Sequence, residues 1–349
     1  MKRLIYSLLI IVLSLQVSVA EKIELTKTLH EHYEVDKNTN FSINHKYGDI
    51  IIADWNKNEI DIELRISVKA RKKEKAEEYM KYITAEISKN ENSVCAKTIL
   101  DKKWNNHKKI EFEIKYIIKA PSYLKYDIVN KFGNIAIANI TGPTHINLKY
   151  GNLLAKKLIF TDNKNLNNLE FAFSNVDIRY CNHANIIMKY GKLKFGVGKA
   201  IKLNSQFTDI DIKKLESIHF VGKYGGLDID TVEIANIDAK FMDIDIEYLS
   251  SKLKTKIKYG NFSVNNITPY FSEIFVEGSF GDVKLLIHPD AVYQINADVD
   301  YGDLNLPKMV NIDRTIKTNG VEVSGIVGPK GHEIKSKVHI EMDYGDVSL

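Results

Sequence analysis

Between Phe132 and Tyr301, apolar and polar positions alternate in short runs that break at the same kind of residue each time. With an aromatic residue as position zero of each copy, positions −6, −4, −2 and 0 are apolar or small, as in Ala184, Ile186, Met188 and Tyr190. An alternation of period two predicts a strand. After the aromatic the phase changes: +1 is Gly in nine of twelve copies and +2 is Asp or Asn in ten. Glycine reaches positive φ without steric penalty, and Asp or Asn bonds its own backbone in turns, so a tight corner is expected here with the glycine carrying the turn. Apolar residues resume at +3 and +5, as in Ile210 and Ile212, Leu227 and Ile229, and Ile244 and Ile246. A third apolar position recurs at +8, filled by Leu158, Cys181, Leu215, Val232, Leu249 and Ile267. Each copy therefore reads as a strand, a corner, a short strand, a second corner and a return.

The position-zero residues are Tyr47, Phe132, Tyr150, Phe173, Tyr190, Phe207, Tyr224, Phe241, Tyr259, Phe280, Tyr301 and Tyr344. From Phe132 to Tyr301 the steps are 18, 23, 17, 17, 17, 17, 18, 21 and 21 residues. A nearly fixed period marks a stacked repeat. An antiparallel meander would put its corners at alternate ends, whereas a coil stacks equivalent residues at about 4.8 Å per rung. The constant inward pattern favours the coil, an all-β parallel β-helix or β-solenoid of 17-residue rungs. About ten rungs would make a rod on the order of 45 Å long. The rings at position zero would form one ladder, internal or at an edge, and the Asp and Asn residues at +2 a second. Because the rings fall in phase with Ile and Leu, they are expected in the core rather than as an exposed platform for sugar stacking.

Residues 21–121 have a different texture and are expected to cap the coil. Phe41, Ile43, His45 and Tyr47, followed by Ile50 and Ile52, fit the rung template. Ile60 to Val68 and Phe112 to Ile118 alternate as strands. Between them Ala76, Tyr79, Met80, Ile83 and Ile87 recur at helical spacing, which predicts one amphipathic helix over about 73–88. The solenoid repeats are assigned to 122–306, and 307–349 to a hairpin excursion followed by a final rung from Val338 to Leu349.

Composition changes this picture in one respect. Lys2 and Arg3 precede an apolar stretch from Leu4 to Val17 that ends in Ser18-Val19-Ala20, the pattern of a secretory signal peptide over 1–20 with cleavage before Glu21. An exported protein is expected. No cysteine follows the apolar stretch, so a lipid anchor is not indicated, and no second apolar run approaches the roughly 20 residues of a membrane helix. Removing Lys2 and Arg3 from 49 basic residues leaves 47 against 45 acidic, so bulk attraction to nucleic acid is not expected. Cys95 and Cys181 would meet an oxidising route, but their pairing is not legible from spacing.

Candidate chemistry is sparse. Asp209, Asp211, Asp228, Asp230, Asp243 and Asp245 fall at outward positions of adjacent rungs and would offer oxygen ligands to calcium, against the plainer reading of solvated turns. Stacked acids also suit carbohydrate-cleaving coils, yet every acid here belongs to the repeat and none stands out as an exception. His30 to His32 (HEH) has chelate spacing on a strand but reads better as surface. Cys181 occupies a core position of the template. Two basic runs, Lys69 to Lys75 and Asp101 to Lys109 with Trp104 inside it, suit a strand-helix junction and a hairpin tip; an acidic glycan or headgroup would meet the chain here first. No residue is assigned a catalytic, cofactor-binding or metal-ligating role.

The leader, the early KYGDI at Lys46, the strand-helix-strand segment and the serial copies KFGNI at Lys131, KYGKL at Lys189, KYGGL at Lys223, KYGNF at Lys258, DYGDL and DYGDV together resemble a family of exported bacterial envelope proteins, common in Bacteroidetes, described as adhesins and as a domain of unknown function. The resemblance spans most of the chain after residue 20 and implies an exported, coil-like β protein with no catalytic residue to carry over. The expected function is a non-enzymatic envelope or cell-surface interaction protein that presents repeated polar faces to a glycan or protein partner. The alternatives are a polysaccharide-processing β-helix enzyme and a calcium-stabilised scaffold.

Overall fold

The computed structural model describes residues 22–103, 110–160, 166–307, 310–329 and 333–349. The leader and the Trp104 to Lys109 part of the second basic run lie outside the described residues.

The chain enters through β1 (Ile23–Glu34), then builds the first rung from β2 (Asn40–Lys46) and β3 (Asp49–Asp54), with Tyr47 between them. It next leaves the coil axis for β4 (Glu59–Ala70), helix α1 (Lys73–Met80), β5 (Ile83–Asn90), β6 (Ser93–Leu100) and β7 (Glu111–Ala120). These form two wings on the first rung. On the pre-corner face, β6 pairs parallel with β2 and β5 pairs antiparallel with β6. On the post-corner face, β7 pairs parallel with β3, and β4 and then β1 follow antiparallel. Helix α1 buries Ala76 and Tyr79. It spans 73–80, half the expected length, because Ile83 and Ile87 belong to strand β5. The expectation failed for a definite reason: Ile83, Ala85 and Ile87 also alternate at period two, and pairing with β6 decided between the two periods.

From β8 (Lys125–Lys131) and β9 (Ile135–Ile140) onward the rungs are built by β10 (Thr144–Leu158) and the 92-residue β11 (Asn167–Lys258), which rounds the corners at Phe173, Tyr190, Phe207, Tyr224 and Phe241. Neighbouring rungs are parallel and in register: β2 pairs β8, β8 pairs β10, and β10 pairs β11 with Ile146 opposite Leu169 and Leu158 opposite Cys181. The protein is therefore a parallel β-solenoid. Its inward columns at −6, −4, −2, +3, +5 and +8 pack into one continuous core, which the rung of Tyr190 fills with Ala184, Ile186, Met188, Leu193 and Phe195.

The carboxyl-terminal end is not a simple continuation. After β12 (Phe262–Ile267), β13 (Glu273–Ser279), β14 (Val283–Ile287), β15 (Tyr293–Asp300) and β16 (Leu304–Asn305), the chain makes a hairpin of β17 (Val310–Ile316) and β18 (Gly320–Val327), then returns as β19 (Ser336–Asp343) and β20 (Val347–Ser348). Strand β19 lies between β13 and β15, parallel to both, and β20 lies between β14 and β16. The last rung in sequence is thus the penultimate rung in space. The hairpin covers β15 from outside, because β18 pairs antiparallel with it.

Candidate interaction surface along the corner ladder

Among the described residues, twelve non-glycine residues have positive φ, between 53° and 63°, and they are the twelve position-zero aromatics. The left-handed turn is carried by the ring residue, not by the glycine after it. Reversing φ at one residue swings its Cβ out of the strand's alternation, so the ring leaves the core and lies along the corner edge. Eleven of the rings are between 37% and 54% exposed, and Tyr47 is half-buried. The expected core burial of the rings is therefore overturned.

The rings stack in one unbroken series: Tyr47, Phe132, Tyr150, Phe173, Tyr190, Phe207, Tyr224, Phe241, Tyr259, Phe280, Tyr344, Tyr301, with centroids 4.6–5.1 Å apart and planes within 14° of parallel. Each contact of this kind contributes about 0.5–1.5 kcal/mol beyond area burial, which offsets a left-handed cost of roughly 1–2 kcal/mol per residue. Stacking covers the faces of the rings and leaves only their edges to solvent. The ladder is closed at one end by Phe112, edge-on to Tyr47 at 6.1 Å, and at the other by Asn319, whose side-chain amide donates to the Tyr301 hydroxyl at 3.1 Å.

The glycine at +1 answers a different demand. A Cβ at Gly260 would lie 1.9 Å from the Met242 carbonyl oxygen of the neighbouring rung, and one at Gly225 would lie 2.1 Å from that of Thr208, with φ at +137° as well. Close approach of backbones, more than turn conformation, selects glycine here. The +2 residues form a second ladder that serves the backbone: Asp49 accepts from the Asn134 backbone N–H at 2.9 Å, Asn134 from Asn152 at 3.0 Å, Asp243 from Asn261 at 2.8 Å, and Asp282 from Asp346 at 3.0 Å. The ladder is interrupted where Lys192 and Gly226 stand at +2.

The other candidates from the sequence scatter. Asp211, Asp228 and Asp245 do stack at +4, and the Asp228 carboxyl is raised above its ordinary value by partial burial first and then by Asp245, Asp211, Asp209 and Asp230. Around them Asp209 faces Lys192 at 4.0 Å, Asp230 pairs with Lys213 at 2.9 Å, and Asp245 accepts from Ser263 and, at 3.1 Å, from Asn265. No group of three or more His, Cys, Asp or Glu side chains among the described residues is arranged to hold a metal ion. His30 and His32 are exposed on β1, with His32 3.5 Å from Glu59. Lys69, Lys73 and Lys75 of the first basic run are ion-paired with Glu24, Glu77 and Glu78. Cys95 and Cys181 are both free; Cys181 is buried and its thiol is pushed up to about 12, chiefly by burial, which makes it an inert core residue.

Position −1 is lysine in every KYG copy. It forms an outward column of lysines beside the rings, with the Lys46 ammonium 4.7 Å from the Tyr47 ring centroid, Lys131 5.0 Å from that of Phe132 and Lys258 5.6 Å from that of Tyr259. One corner edge thus carries three parallel columns: cationic, aromatic, and amide or carboxylate.

A solenoid with such an edge is a class of scaffold, and part of this chain is similar to a described family. Residues 185–349 match the family model described as Toastrack DUF4097, a domain of unknown function. No curated protein matches the chain. Among solved structures, the chain is similar to one described as a "putative cell adhesion protein" from Clostridium sporogenes, at 9% identity over 93% of this chain and 98% of that one, with a TM-score of 0.23. It is also similar to a "putative adhesin" from Bacteroides fragilis, at 14% identity over 74% and 97%, with a TM-score of 0.34. A third, described as a "putative lipid binding protein" from Parabacteroides distasonis, shares 12% identity over 74% and 96%, with a TM-score of 0.36. No helix among the described residues is long and apolar enough to cross a membrane.

Proposed function

We propose that this chain is an exported, non-enzymatic interaction protein of the cell envelope or surface, which presents repeated polar columns to a glycan or protein partner. One observation carries the reading: the corner edge is an extended array of outward side chains running the length of a ladder of about 50 Å, with an unbroken ring column flanked by a column mostly of lysine over the first nine rungs and a column mostly of Asp and Asn. An array with that repeat matches a partner that is itself long and repetitive. Ring faces covered by stacking offer no platform for sugars to stack on, so recognition runs through the polar columns on either side.

The full chain incubated with a panel of envelope and host glycans and proteins should retain a partner reversibly and release no new reducing ends. New reducing ends would make it a polysaccharide-processing enzyme. A tagged chain found in the cytoplasmic fraction, or one that retains no member of the panel, would end the reading.

A further inference from the structure

In spatial order, seven of the first nine rungs carry lysine at −1: Lys46, Lys131, Lys149, Lys189, Lys223, Lys240 and Lys258. All seven are exposed, and among the described residues none is ion-paired. Lysines in other outward columns find partners: Lys192 with Asp209, Lys213 with Asp230, Lys252 with Glu273 and Lys256 with Glu277. The corner itself does not require a cation at −1. Ala172 and Gln206 stand there beside Phe173 and Phe207, whose rings stack at 4.7–5.0 Å like the rest. Rungs follow one another at about 4.8 Å, so neighbouring ammonium groups lie within roughly one Debye length and repel. A run of about 40 Å, one residue wide, with seven lysines and no ion pair among them points to a counter-charge from outside the chain.

The shape of that counter-charge follows from the neighbouring columns. On the far side of the rings, the +2 column holds Asp49, Asp209 and Asp243, so a flat anionic surface laid on this edge would meet both signs. A thread along the −1 column would meet lysine on seven of nine rungs, with Glu170 and Asp238 the acidic residues in the −3 column beside it. Stacked rings leave no free aromatic faces, which single-stranded nucleic acid uses for base stacking. Beside the lysines, between the −3 and −1 columns, runs a shallow furrow of about 110 Å³ walled by Ile187 and Val221 on one side and Lys189 and Lys223 on the other, with the amides of Asn204 and Gln206 midway. Apolar walls, amides and cations in this order suit a sugar ring with an acidic substituent. The two lysines are two rungs apart, about 10 Å, the order of a disaccharide in an extended chain. In the last two rungs the column changes sign, to Asp343 and Asp300, which limits the track to the rungs from Tyr47 to Tyr259.

We infer that the −1 column binds a linear anionic polysaccharide, bearing uronate or sulfate groups, that lies along the coil axis with its acidic groups on the lysines. This rests on the reading of the chain as an interaction protein and names the partner's chemistry.

The test uses the full chain with alginate and dextran sulfate as probes, against unsubstituted dextran. The quadruple variant K149Q/K189Q/K223Q/K240Q is compared with K213Q/K252Q/K256Q/K317Q, which changes net charge equally but removes lysines that are ion-paired; melting curves of both show that they fold. Expected is retention of at least one polyanion and not of dextran, weakening with salt, with affinity at least about tenfold lower for the column variant and changed less than about threefold for the other. Equal losses in the two variants, failure to retain either polyanion, or tighter binding to phosphatidylglycerol vesicles or to an oligonucleotide would overturn it. Retention of dextran or of a protein partner with no polyanion retained would sink this inference and leave the broader function standing.

Discussion

The coil between Tyr150 and Tyr259 and the two amino-terminal wings built from β4 to β7 bury the same kinds of side chain by different means. In the coil every strand is parallel to its neighbours and a stacked ring turns every corner, with a glycine at +1 on every other rung and an Asp or Asn at +2 on five of the seven. In the wings the strands are mostly antiparallel, and the junction with the first rung holds a part-buried polar chain: His45 Nδ1 lies 2.8 Å from Thr98 Oγ1, which lies 3.1 Å from the Tyr116 hydroxyl. Stability in the coil is therefore many small equal contributions, and at the junction one concentrated, titratable cluster.

The largest expected effect attacks the coil's close packing. Gly260→Val should cost more than about 3 kcal/mol in thermal or denaturant unfolding, since its Cβ would overlap the Met242 carbonyl; Gly226→Ala, where the nearest atom is 4.0 Å away, should cost under about 1 kcal/mol. Equal melting temperatures for the two variants would refute the close-approach account.

Next comes the junction. Burial holds the His45 imidazole down to about 4, below its unfolded value, so the unfolded chain binds more protons between about pH 6.5 and 4. Stability from His45 is present above pH 6.5 and is lost as pH falls through that window, by up to roughly 3 kcal/mol. His45→Gln should flatten this acid slope in unfolding measured at stepped pH, and an unchanged slope would remove His45 as its source.

A smaller effect separates ring stacking from backbone strain. Tyr224→Ala loses contacts to Phe207 at 4.7 Å and Phe241 at 5.1 Å, about 1–3 kcal/mol in all. Tyr224→Gly loses the same contacts yet relieves the left-handed φ of 59°, and should be about 1 kcal/mol more stable than the alanine variant. The reverse order would contradict the assignment of the turn to the ring residue. Smallest is Asp228→Asn, which removes a carboxylate crowded by Asp211 and Asp245 and should stabilise by a few tenths of a kcal/mol at neutral pH, since the site is largely solvent-screened. The gain should vanish in acid, where the native carboxyl is protonated.

Much of this architecture was legible in the chain. The alternation Ala184, Ile186, Met188 and the apolar returns at +3, +5 and +8 identify inward columns that the core does contain. The +2 ladder was legible as a column, though its role as acceptor for the next rung's backbone N–H was not. Ring placement was misread because Tyr and Phe at position zero continue an apolar alternation, and a hydrophobicity pattern carries no sign of φ. The lysine column stood in plain view in KYG, but its lack of partners is a fact about neighbouring rungs and could not be read along the chain.

By itself, then, the sequence determined the rung: its period, its inward and outward positions, and the parallel stacking that one pattern repeated so many times enforces. Only the tertiary structure decided which way each corner ring points, why glycine follows it, that Ile83 begins a strand, and that β19 slips between β13 and β15. The physical reason is the same in each case. Periodicity reports contacts that every copy makes alike, whereas these choices depend on a carbonyl, an edge or a charge supplied by a segment that is a neighbour in space alone.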